Sequence, residues 1–184
     1  MKKTICAMLA LILCVSFAFS ASALEINGSR GAKGTIRRGY YYNGNVSFQL
    51  PNTAWTEESC IGYDDYDEIT LVGPADVNGF IPSLVVYIND QTWDMDADFR
   101  DMGSGNCIRI ANQNFIINDD MKAHYDCYIN SADSGSRMEI DYIIWFNCGE
   151  RGVMLHYYTF SSTRSIPDDL PALDDTMATF TIGA

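Results

Sequence analysis

Hydrophobic positions first occur in this chain as a solid block. Residues 5–19 form a nearly unbroken apolar run, preceded by Met1-Lys2-Lys3 and followed by Ala21-Ser22-Ala23. A basic start, a short apolar core and a small-x-small ending predict a secretory signal peptide over residues 1–23, cut near Ala23. The run is shorter than the about 20 residues of a spanning helix. Leu13, not a small residue, precedes Cys14, so the leader lacks the pattern of a lipid-anchored cysteine.

Beyond the leader the dominant period is two. Val46, Phe48 and Leu50 alternate with polar residues after Tyr40-Tyr41-Tyr42 and Asn43-Gly44, which predicts a hairpin ended by Pro51. Short strands are expected over residues 68–72 and 81–88, then 107–111 and 115–117. In residues 121–130 the odd positions Met121, Ala123, Tyr125, Cys127 and Ile129 are apolar, so one face is buried. Residues 142–146 and 153–160 are apolar on both sides, which requires cover on both faces.

Two stretches carry the helical period instead. Met95, Phe99 and Met102 share one face of a helix expected over residues 89–103, with Asn89 or Asp90 as its cap and Gly103 and Gly105 as its stop. Leu170, Leu173, Met177 and Phe180 form the stripe of a second, near residues 168–180. Pro167, Asp168, Asp169 and Pro171 suit its first turn. The expected product is one α+β domain over residues 40–184, a central antiparallel sheet flanked by helices. Residues 24–39 precede it, carrying Arg30, Lys33, Arg37 and Arg38, as either a flexible basic arm or a loosely attached first strand.

Charge narrows the partners. Loss of Lys2 and Lys3 leaves ten basic against 24 acidic residues in a 161-residue mature chain, a net charge of −14. Such a surface repels phosphate backbones and anionic membranes, which excludes nucleic acid and favours cations and basic proteins. No later segment has the length to span a membrane, and the oligomeric state is left open. The mature cysteines are Cys60, Cys107, Cys127 and Cys148. An even number in an exported chain suggests disulfides in any of three pairings, against the alternative of buried thiols.

Phe48-x-Leu50-Pro51-x-x-x-Trp55 after an entry strand, a mid-chain helix, a block of strands and a closing helix before Thr179-Phe180-Thr181-Ile182 together resemble the PsbP-like fold, which includes many small exported bacterial proteins. The resemblance implies an α-β-α sandwich and a binding or assembly module without a common catalytic site. It carries over no functional residue.

Candidate chemistry is sparse. Asp94-x-Asp96-x-Asp98 has the alternation of a calcium loop, but Phe99 stands where that loop needs Gly, and Gly105 where it needs Glu. Asp64, Asp65, Asp67 and Glu68 form a second acidic cluster, in a loop able to fold round a cation, and are the metal candidates. His124 and Cys127 lie three apart in a strand and point to opposite faces. Neither His124 nor His156 has metal-pair spacing, and no nucleophile elbow is present. Tyr40, Tyr41, Tyr42, Tyr63 and Tyr66 near loops suit a carbohydrate or peptide partner, or sheet packing. No cofactor and no catalytic residue is indicated. The leading expectation is an exported, non-enzymatic binding or assembly module for an extracytoplasmic protein or surface component. A small-ligand or calcium-binding protein is second and a small secreted hydrolase third.

Overall fold

The computed structural model describes residues 30–183 apart from 77, 96–106, 119–120, 132–137 and 162–170. Eleven strands and one helix occur among the described residues, in two antiparallel sheets. The strands are β1 (Thr35–Arg37), β2 (Tyr40–Tyr42), β3 (Val46–Gln49), β4 (Thr56–Gly62), β5 (Tyr66–Val72), β6 (Ser83–Asn89), β7 (Cys107–Asn118), β8 (Met121–Ser131), β9 (Met138–Cys148), β10 (Arg151–Ser161) and β11 (Thr181–Ile182). The helix, α1, spans Pro171–Ala178. The small sheet runs β1-β2-β3-β11 and the large one β4-β5-β6-β10-β9-β8-β7.

This corrects the expected fold class. The protein is mostly β-sheet, not an α+β sandwich whose central sheet is flanked by helices. On one face the cover comes chiefly from the small sheet. Tyr41, Val46 and Phe48 project from it into the same core as Ile69, Leu71, Leu84, Val86, Ile144, Phe146 and Leu155 of the large sheet. A strand with alternating apolar residues offers a flat apolar face, and it does here what a helix stripe was expected to do. The helix read over residues 89–103 also differs where it is described. Asn89 ends β6, and residues 90–94 are not helical. Its remainder, with Asp96, Asp98, Phe99 and Met102, lies outside the described residues.

The closing helix begins at Pro171, where the missing N–H costs little, and residues 168–170 lie outside the described set. Leu173 and Met177 are buried from it. Phe180 lies beyond its end, yet enters the core between Phe48 and Phe146. The β2–β3 hairpin forms as the alternation requires. Its turn is built less by glycine alone than by Asn43, whose Oδ1 accepts the N–H groups of Asn45 and Val46, each at 2.9 Å. Gly44 supplies φ 90°.

Residues 142–146 are buried throughout, so that stretch has both faces covered, whereas residues 153–160 alternate between buried and half-buried and are fully covered on one face only. The last part of the basic arm is β1, paired with β2. Among the described residues no helix is long and apolar enough to cross a membrane.

Candidate binding face of the large sheet

Antiparallel register places distant residues in rows across the face that points away from the small sheet. One row is Glu68, Tyr87, Met154, Trp145 and His124. The next is Thr70, Val85, His156, Ile143 and Asp126. The β8–β9 half of this face is closed. Tyr128, Ile143 and Trp145 are buried there, with Trp93 and Met154 packed against them. Trp93 is held from three directions. Its N–H donates to Asn147 Oδ1 (2.7 Å), its carbonyl accepts from Asn147 Nδ2 (2.9 Å), and its indole N–H donates to the Val153 carbonyl (3.0 Å). Gly152 permits this approach, because a Cβ there would lie 2.6 Å from the Gln91 carbonyl oxygen.

The β5–β6 half is more open. Tyr66, Glu68, Thr70, Val85 and Tyr87 are half-buried, and a row of tyrosine rings leads outward from them. Tyr87 is tilted against Tyr66 at 6.1 Å between centroids. Tyr66 stacks on Tyr63 at 4.4 Å and 17°. Tyr63 belongs to the turn joining β4 and β5, where its N–H donates to the Tyr66 carbonyl (2.8 Å) and Asp64 and Asp65 form the tip. Tyr63 is 40% exposed, and Ile61, two residues earlier on β4, is 42% exposed. Burial pushes the Tyr66 phenol up, and the negative charge of Glu68 and Asp65 adds to this. Burial, then Glu68, does the same at Tyr87.

The acidic cluster expected to fold round a cation is therefore split. Asp64 and Asp65 occupy the hairpin tip. Asp67 and Glu68 are consecutive in a strand, so Glu68 faces the tyrosine row while Asp67 turns to the opposite, buried side. Among the described residues no group of three His, Cys, Asp or Glu side chains is arranged to hold a metal ion.

Asp67 meets the arm instead. Arg30 Nη1 donates to the Tyr63 carbonyl (2.8 Å), and Arg30 and Arg151 both contact Asp90 Oδ1. The arm lies so close to β4 that a Cβ on Gly62 would come 2.9 Å from the Gly31 nitrogen. Asp67 Oδ1 is buried without a hydrogen-bond partner. Burial raises the Asp67 carboxyl above the usual range, opposed by Arg30, the Gly31 N–H and Arg151. The arm is tied down further along as well, since the Gly34 N–H and the Tyr41 hydroxyl both donate to Glu57 Oε2 at 2.7 Å.

Sequence spacing missed one association. Both histidines lie on the same face, each beside an aspartate. His156 Nε2 is 2.7 Å from Asp141 Oδ1, while His124 Nε2 is 3.6 Å from Asp126 Oδ2, which also accepts the Tyr128 hydroxyl (3.1 Å). The signal was the Gly149-Glu150 turn, which folds β10 back on β9 and sets that register. Cys60, Cys127 and Cys148 are free thiols. Of the disulfide candidates, the Cys107 side chain lies outside the described residues, as do Asp96 and Asp98 of the calcium pattern. No protein-family model and no curated protein matches the chain.

Proposed function

We propose that this protein is a binding or assembly module that works outside the cytoplasm once residues 1–23 are removed. It engages another extracytoplasmic protein or a surface component through the β4–β5 end of the large sheet. The observation that carries this reading is the tyrosine row. Three rings leave the half-buried face and end in Tyr63, with Ile61 exposed alongside on an edge strand. Aromatic rings give large contact area at small entropic cost, which suits them to recognition.

The hydrolase alternative would fall on the His156–Asp141 pair, 2.7 Å apart. The test is a panel of peptides and soluble cell-surface glycans titrated against the mature protein and its Tyr63→Ala variant. Weaker binding to the Tyr63→Ala variant is expected. Steady turnover of a peptide, glycan or ester by the purified protein, abolished by Asp141→Asn, would replace this reading with the hydrolase.

A further inference from the structure

We propose that the group seated on this surface is a lysine or arginine side chain, carried by an extended basic segment of a partner protein. The inference rests on the binding reading above and names its partner.

Ring geometry comes first. A sugar platform presents open aromatic faces side by side. Tyr63 and Tyr66 are instead stacked on each other, so Tyr66 takes one face of Tyr63 and leaves the other as the open end of the row. A single exposed tyrosine face is a seat for a cation, attracted by the negative face of the ring.

Charge agrees with this. Around the hairpin stand Asp64, Asp65, Glu68 and Asp90, against the two guanidinium groups of Arg30 and Arg151. Both guanidinium groups are spent on Asp90, and Arg30 also on the Tyr63 carbonyl. Asp65 and Glu68 are near enough to the tyrosine row to act on the Tyr66 phenol. A cation on the outer face of Tyr63 therefore meets an excess of carboxylate.

The edge supplies the backbone half of the site. Among the described residues β4 pairs with no strand but β5, so it forms an edge of the large sheet, with the arm close against it at Gly62. An extended segment adds to such an edge by main-chain hydrogen bonds, with alternate side chains reaching the same face.

The test uses three fluorescein-labelled octapeptides that alternate threonine with lysine, glutamine or glutamate. They are titrated by polarisation into the mature protein at two salt concentrations. The lysine peptide is expected to bind, more weakly at high salt, and the other two are not. Tyr63→Ala, which leaves net charge unchanged, should weaken binding roughly two- to fivefold, and Tyr63→Trp should strengthen it. Asp64→Asn with Asp65→Asn should weaken it further, while Asp174→Asn with Asp175→Asn on α1 should not. Equal loss from both double variants, or no effect of Tyr63→Ala, would mean diffuse attraction and overturn the inference. Tyr63-dependent binding of the glutamine peptide, or of a soluble glycan, would overturn the cationic class and keep the binding reading. If no ligand depends on Tyr63, both fall.

Discussion

Phe48 of β3 and Phe180, just beyond α1, lie face to face with centroids 5.1 Å apart and planes 3° from parallel. Phe146 of β9 meets Phe180 edge-on at 5.5 Å and 83°. One ring from the end of the chain thus joins the small sheet to the middle of the large one. Phe180→Ala is expected to cost about 3–5 kcal/mol, the transfer loss plus a cavity that three rigid elements cannot close. Urea denaturation checks it. A loss within experimental error would mean that the end of the chain is not part of the core.

Gly152 predicts a second sensitive position. A methyl group there meets the Gln91 carbonyl at 2.6 Å and the Trp93 indole at 3.0 Å, and the backbone atom cannot swing aside. Gly152→Ala should displace the cover over the β8–β9 half of the open-faced sheet. About 1–3 kcal/mol of stability should go with it. Tryptophan emission should shift to the red as Trp93 meets water. Unchanged emission and melting temperature would contradict this packing.

These two sites also show what sequence could tell. The period of two located the β2–β3 hairpin and β8, and the continuous apolar run located the buried heart of β9, but alternation did not reveal that His124 and Asp126 on the polar face of β8 are buried too. β4 left no such trace. Its residues, Thr56-Glu57-Glu58-Ser59-Cys60-Ile61-Gly62, are mostly polar because it is an edge strand, and a bulge between Glu57 and Ser59 breaks its register. The two strands expected over residues 107–111 and 115–117 are one, interrupted by a register shift near Arg109. At the site, the acidic and tyrosine residues were legible as a cluster in the sequence, but their division between two faces was not. That division follows from where β5 begins, and a one-residue change in that start exchanges every side.

The acidic groups at the hairpin predict opposite pH behaviour. The Asp90 carboxyl is held below its ordinary value by hydrogen bonding to Arg30, with Arg151 helping, so its contribution is present above the unfolded value of about 3.9 and is lost as pH falls through the lower folded value. Asp67 is raised by burial. Its protonated form is the one that suits the fold, so its favourable contribution is complete below about pH 3.9 and is lost as pH rises through the higher folded value. Asp67→Asn should therefore raise the melting temperature at pH 7, by the equivalent of about 1 kcal/mol, with the gain shrinking on acidification. Asp90→Asn should lower it at pH 7, with the loss shrinking on acidification. Thermal melts across that range decide both, and a gain for Asp67→Asn that grows on acidification would refute the assignment.

The Cys127 thiol is fully buried and pushed up to about 12 by that burial, with Asp141 and Asp126 adding to it. Thiolate is the reactive form, so Cys127 should resist a thiol reagent at pH 8 in the native protein and react once urea unfolds it. Peptide mapping after brief alkylation tests this. Rapid native labelling at Cys127 would place β8 wrongly.

The most direct measurement of the central reading is a nuclear magnetic resonance titration of the tyrosine rings with the lysine–threonine octapeptide. The account predicts that Tyr63 moves most, that Tyr66 and Tyr87 follow in that order, and that Tyr41 and Tyr128, buried in the two cores, stay still. Shifts scattered over the surface, or centred on His156 and Tyr158 with Tyr63 unmoved, would contradict it.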